Sequence, residues 1–396
     1  LAGLPLLLSV KENNSSNFYL SPNELNIKKI TLAYDNFNKT VDDEFVNLGS
    51  VKILNKPDQL RVFFDKLTTN SLLSAASIIG KLPKDYVRFE GLINSLAFKF
   101  PKNYKKIGSK DINDLFELIT IEAGFENLGV TKTVTNKGFS GLNGSFLLNS
   151  SGIDIIFFSD NANLLLPEIF LESNLNFSEI NGRIGLDPDG LKKILRGNYE
   201  HLSMQIHELD LSNADLSIKS KGIWATESSG AEKADLHGKI VFIKPEIISS
   251  YLPKRVSEKT RNWFERGIKS ADSVTGSFSY DGPLTNLSEP SNRKKIKFVS
   301  NLKIENLDLL FSAKWPSISR INAEIEFNNQ HFKILDASGL LDKSKLNSVS
   351  GEIKDIFSKN PELFLTGKIS GQFQNFINIS NNSPIVNWLW GITKNA

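Results

Sequence analysis

The stretch Ile321-Asn322-Ala323-Glu324-Ile325-Glu326-Phe327 alternates apolar and polar residues, which sends the two kinds of side chain to opposite faces of a strand. Similar alternation runs over 298–304, 216–224, 142–148 and 363–369, separated by Asn, Ser, Gly and Asp clusters that suit turns. Strands half-buried in this way belong in a mainly antiparallel sheet, one face packed and the other wet. Helical pattern is sparse. One short candidate covers 71–80 and another 257–269, the second with Thr260, Trp263, Phe264, Gly267 and Ile268 on one side.

A Leu-Pro pair lies near each candidate helix, at Leu82-Pro83 and Leu252-Pro253, which invites a search for an internal repeat. A shift of 304 − 125 = 179 residues lays Phe125-Glu126-Asn127-Leu128 on Ile304-Glu305-Asn306-Leu307. At the same offset Ser140, Leu142, Asn143, Phe146, Leu148, Asn149, Ile153 and Ile155 fall on Ser319, Ile321, Asn322, Ile325, Phe327, Asn328, Phe332 and Ile334. Each module then reads as short helix, Leu-Pro, strand, long strand broken at Glu-Asn-Leu, and hairpin. An isolated module would expose unpaired strand edges, which stacking edge to edge removes. The chain divides on this pattern into an amino-terminal part (1–81), a first β-module (82–249) and a second (250–396).

Composition narrows the picture. With 396 residues and 40% hydrophobic content, the chain has ample apolar surface to bury and is not disordered. Phenylalanine outnumbers tyrosine 27 to 7, so most of the aromatic surface lacks a polar handle and suits a dry environment. A formal net charge of +3 is too near balance for a nucleic-acid binder. Zero cysteines exclude disulfides, thiolate metal sites and cysteine nucleophiles. No apolar run approaches the roughly 20 residues of a membrane-spanning helix. The single methionine is Met204 and the chain opens at Leu1 in an apolar stretch, so it reads as a piece of a longer protein.

Candidate chemistry is thin. His207-Glu208-Leu209-Asp210 could offer metal ligands, but alternation puts His207 and Glu208 on opposite faces and no helical His-Glu-x-x-His is present. Gly138-Phe139-Ser140-Gly141-Leu142-Asn143-Gly144 has neither the spacing of a nucleophile elbow nor that of a phosphate loop; a tight turn entering a hairpin accounts for its glycines. The basic 257–269 segment could meet anionic headgroups, though a helix covering a sheet edge with its charges in water fits its short length better. No catalytic residue, metal site or cofactor is expected, and the chain is read as a non-enzyme.

The order of Tyr251-Leu252-Pro253, Trp263-Phe264, Val274-Thr275-Gly276-Ser277-Phe278, Tyr280-Asp281-Gly282-Pro283-Leu284, and Leu307-Asp308-Leu309 leading to Lys314-Trp315-Pro316 resembles the YhdP family of AsmA-like proteins. The earlier half agrees through 138–146, through Leu165-Leu166-Pro167-Glu168-Ile169-Phe170, and through Leu209-Asp210-Leu211 and Ala214-Asp215-Leu216. The first module departs from the second in having Thr135-Asn136 where the second has Trp315-Pro316.

The resemblance implies an elongated, twisted antiparallel β-sheet forming an open hydrophobic groove with a few short helices. It further implies a periplasmic segment, held to the inner membrane of a Gram-negative bacterium by an anchor outside this piece. That segment would carry phospholipid toward the outer membrane. Exposing an acyl chain of about 16 methylenes to water costs on the order of 13 kcal/mol, and an apolar trough removes most of that barrier. Alternation supplies its lining: Phe125, Leu142, Phe146, Leu148, Ile153, Ile155 and Phe157 in the first module, and Ile304, Ile321, Ile325, Phe327, Phe332 and Ile334 in the second, with the opposite face polar. The rival reading is a structural or adhesive sandwich or solenoid that fills its apolar face with its own side chains.

Overall fold

The computed structural model describes residues 50–71, 87–101 and, apart from short breaks, 118–384, together with four short strands nearer the amino terminus. The protein is mainly β, and its antiparallel sheet is not closed into a barrel. Two compact units divide the chain: Leu1–Leu166 with Asn174–Glu208 and Ile223–Ala231, and Pro167–Ser173 with Leu209–Gly222 and Glu232–Ala396.

In the first unit the short strands β1 (Leu6–Ser9), β2 (Glu24–Ile27), β3 (Thr31–Tyr34) and β4 (Val46–Asn47) precede β5 (Val51–Asn55) and β6 (Gln59–Thr68). The long strands β7 (Val87–Pro101), β8 (Thr120–Lys132), β9 (Gly138–Asn149), β10 (Gly152–Leu165) and β11 (Asn174–Leu186) follow. From β5 to β11 each strand pairs antiparallel with the next. Helix α1 (Pro188–Leu195) comes after β11. Asp187 begins it by accepting a hydrogen bond from the Gly190 N–H at 2.7 Å, and Pro188 occupies a first-turn position where no amide donor is needed.

Beyond β12 (Ser203–Ser212) and β13 (Leu216–Thr226), the second unit continues with β14 (Glu232–Phe242), a 3₁₀ segment (Pro245–Tyr251) and helix α2 (Glu258–Gly267). The remaining elements are β15 (Ile268–Ser270), β16 (Ser273–Pro283), helix α3 (Pro290–Arg293), β17 (Lys297–Leu309), β18 (Ile318–Asn328), β19 (His331–Leu341), β20 (Ser344–Ile353), β21 (Phe364–Ser370) and helix α4 (Phe373–Asn381). β14 pairs with β16, and from β16 to β21 neighbours in sequence are neighbours in the sheet. The expected 257–269 helix is α2, begun by Ser257, whose hydroxyl accepts from the Thr260 N–H. Arg261 on it donates to the carbonyls of Leu252 and Pro253 at 3.1 and 3.0 Å and to that of Ser249, tying helix to 3₁₀ turn. The Trp263 indole N–H donates to the Phe311 carbonyl at 2.8 Å. The other expected helix falls largely on 72–80, outside the described residues.

The repeat appears in the register itself. Phe125 faces Gly144 and Leu128 faces Leu142; 179 residues on, Ile304 faces Ala323 and Leu307 faces Ile321. Hairpin closures match too, Asn149 with Gly152 and Asn328 with His331. Phe146 sits between Ala123 and Ile155, and Ile325 between Leu302 and Ile334.

Two local expectations are corrected. Glu-Asn-Leu is not a strand break: β8 and β17 run through it, with an extra residue accommodated as a bulge. Asn127 and Asn306 take the left-handed conformation there, φ 49° and 52°. The glycines of 138–144 are not a turn but lie within β9. Gly141 bulges that strand at φ 81°, and the Phe125 ring lies across Gly144, where a Cβ would come within 2.7 Å of its Cζ.

Candidate functional site: the apolar face of the sheet

Cross-strand register lines apolar side chains into rows that run from strand to strand. In the first unit Ile53, Val62, Phe98, Ile121, Leu148, Ile153 and Leu186 are successive neighbours across β5 to β11. Next to that row lie Ala123, Phe146, Ile155 and Ile184, and then Phe125, Gly144, Phe157 and Gly182. In the last row large and small residues alternate, so each phenyl ring lies across the glycine of the following strand, the Phe157 Cζ at 2.5 Å from a Cβ position on Gly182. Aromatic cover of a glycine in a sheet restores the packing that the missing side chain would otherwise forfeit.

The second unit repeats the device. Phe242, Val274, Ile304, Ala323, Ala337 and Val349 form one row. Leu302, Ile325 and Ile334 form the centre of a second, and Ser300, Phe327, Phe332 and Ile353 a third. The Phe327 and Phe332 rings are 5.0 Å apart and tilted, a favourable aromatic geometry.

All thirteen residues named from alternation lie on strands, and register groups them on one face within each unit. Phe125, Leu142, Leu148, Phe157 and Ile325 are buried; Phe146, Ile153, Ile155, Ile304, Ile321, Phe327, Phe332 and Ile334 are half-buried. Leu142 and Ile321 keep to this face with Leu128 and Leu307 because the bulge residue restores the parity that alternation alone would lose. Alternation also holds at Leu60, Val62 and Phe64, residues the sequence reading did not include. Helix α1 was missed as well, although Asp187-Pro188 is a helix-start signal. Its Leu191 packs on Leu148 and Leu186, with Ile121 and Ile153 alongside, so the protein's own helix covers that end of the first unit's row.

Ion pairs and hydrogen bonds occupy the opposite face. Lys99 meets Glu122 at 2.6 Å, and Arg183 grips Asp154 through two hydrogen bonds of 2.9 and 3.0 Å. Hydrogen bonds from Lys303 and Ser273 hold the Glu305 carboxyl below the usual carboxylate range. This face is not wholly polar, since Leu147, Ile156, Phe158 and Leu335 are exposed on it. His207 stands in β12, and among the described residues no group of histidines and carboxylates is placed to hold a metal. Neither is any helix among them long and apolar enough to cross a membrane.

An open antiparallel sheet with a continuous apolar face, built twice at a 179-residue offset, now stands beside the comparison with known proteins. The family model described as YhdP protein matches residues 12–396. The chain belongs to the YhdP family. This is a bacterial envelope protein family, and membership is consistent with AsmA-like lipid transport. No curated protein and no solved structure matches the chain.

Proposed function

We propose that this chain is a segment of a lipid transport protein that spans the periplasm of a Gram-negative bacterium and shields phospholipid acyl chains on the apolar face of its sheet. The rows of apolar side chains carry the reading, because their direction is strand to strand, along which an acyl chain can move without meeting a polar residue. Half-buried members such as Phe146, Ile155, Phe327 and Phe332 are the ones a lipid chain reaches. Headgroups stay in water, movement is passive, and no covalent step is required of any residue. Attachment to the inner membrane lies with an anchor outside this segment, and delivery is toward the outer membrane.

One observation favours the rival, a self-filled core: Leu191 covers Leu148 and Leu186, and Ile180 is only 1% exposed. The two readings part on what carboxylates do. Ile325→Asp and Phe327→Asp each place a charge among apolar neighbours, where desolvation is costly, whereas Glu324→Asp leaves the exposed face as it is. Photo-crosslinked lipid per folded protein should fall in the first two variants and persist in the third, with folding checked by circular dichroism. Equal labelling in all three removes the lipid assignment for this face. Loss of lipid only together with loss of fold favours the self-filled core.

A further inference from the structure

A second, polar feature lies in the second unit, where β20 begins and β21 ends. A cavity of about 430 Å³ there is lined by Lys343, Lys345, Ser370, Gly371, Gln372 and Asn375. The topology assembles it from three elements. Leu341 pairs with Ser344, which leaves Asp342 and Lys343 as a two-residue turn with Asp342 at φ 52°. Lys345 faces Ser370 across the ladder. Helix α4 then starts at Phe373, and its N-cap residue Gln372 makes no side-chain capping hydrogen bond.

Charge and unmet hydrogen bonding agree on the ligand. The start of a helix attracts negative charge through its unsatisfied N–H groups. Two of the lining residues are lysines and none is a carboxylate. Asn375 is only 9% exposed yet lines the cavity. Its side-chain amide has no partner among the described residues, its recorded bond being from the backbone N–H to the Gln372 carbonyl. Directly behind Gly371, the fully buried Ser344 hydroxyl is also without a partner, and a Cβ on Gly371 would come within 2.5 Å of it. Buried polar groups left unpaired cost free energy that a bound acceptor-rich group recovers.

We infer that this cleft binds a phosphate group, drawn in by Lys343 and Lys345 and fixed by the first turn of α4 and the Asn375 amide. A lipid headgroup and a soluble phosphate compound share that chemistry, and the site does not depend on the apolar face carrying acyl chains. The whole chain, isotope-labelled, would be titrated with inorganic phosphate at constant ionic strength set by chloride. A saturable shift of the Gly371, Gln372 and Asn375 amide signals is expected. K343Q/K345Q should weaken it at least tenfold, N375D should abolish it, and K368Q, at an exposed lysine of β21 outside the cleft, should leave it unchanged. Sedimentation with phosphatidylglycerol vesicles then separates the sources: binding lost in K343Q/K345Q supports a lipid phosphate, and phosphate saturation without vesicle binding supports a soluble one. No saturable shift, or the same shift in K343Q/K345Q and the unaltered chain, overturns the site.

Discussion

Asn127 and Asn306 stand 306 − 127 = 179 residues apart and do the same thing. Each adopts the left-handed backbone, and each has its N–H held by the side-chain oxygen of an asparagine sixteen residues on: Asn143 at 2.8 Å and Asn322 at 3.2 Å. The bulge therefore has its own polar clamp, taken from the neighbouring strand, in both modules.

Asparagine is tolerated in this conformation, while a β-branched residue is not. Asn127→Val and Asn306→Val should each cost about 1–2 kcal/mol, and Asn127→Gly and Asn306→Gly should cost much less. Chemical denaturation followed by circular dichroism measures all four. Valine tolerated as well as glycine at either site would show that the left-handed bulge is not formed there.

Gly182 should resist enlargement because the Phe157 ring already occupies its Cβ direction. Overpacking of this kind typically costs about 1–3 kcal/mol. Gly182→Ala is expected in that range, with Phe157→Leu giving back part of the loss. A double-mutant cycle reads the coupling directly. Strict additivity would mean that ring and glycine do not touch. Gly144 offers no such rescue, since a Cβ there also meets the Ile156 carbonyl oxygen at 2.2 Å.

Arg261 holds the turn before α2 by donating to carbonyls of Ser249, Leu252 and Pro253. Lysine keeps the charge but not the planar fork. Arg261→Lys should speed amide hydrogen exchange in 249–256 while leaving β17 to β20 protected. Unchanged exchange there would deny the guanidinium this role.

Tyr251 links charge to stability at high pH. Its hydroxyl donates to Asp215 at 2.9 Å and accepts from Asn213 at 3.0 Å. Burial, first, and the Asp215 carboxylate, further down, push its pKa above the ordinary tyrosine value. A group raised on folding stabilises fully below its unfolded pKa, near 10, and that contribution disappears as pH climbs through the folded value. Stability should therefore decline above about pH 10, less steeply in Tyr251→Phe. Asp215→Asn should lower the Tyr251 pKa, as read by ultraviolet titration against Tyr251→Phe. A Tyr251 that titrates identically with and without Asp215 would contradict the arrangement.

Legibility followed distance along the chain. Strands at 142–148, 298–304 and 321–327 were readable because side-chain alternation is a property of adjacent residues. The 179-residue repeat was readable because polar and apolar types recur together, as at Asn143 and Asn322. The glycines of 138–144 misled because a turn and an in-strand position under a phenyl ring need the same small residue. Helix α1 escaped although Asp187-Pro188 announces it, since only Leu191 and Ile194 of its short length join the apolar cluster.

By itself, then, the sequence determined an antiparallel β protein, a duplicated module, the residues of its apolar faces and membership of one family. Tertiary structure alone decided which of those residues become neighbours. Alternation cannot say that Phe125 lies over Gly144, that Leu191 covers Leu148, or that Leu128 returns to the face of Phe125 beyond a bulge. Each of these depends on a partner strand or helix whose register is set by hydrogen bonds between residues far apart in the chain. The cleft at Lys343, Lys345 and Asn375 is the clearest case. Its lysines sit at a hairpin and its amide on a helix some thirty residues later, and only the pairing of β20 with β21 brings them to one place.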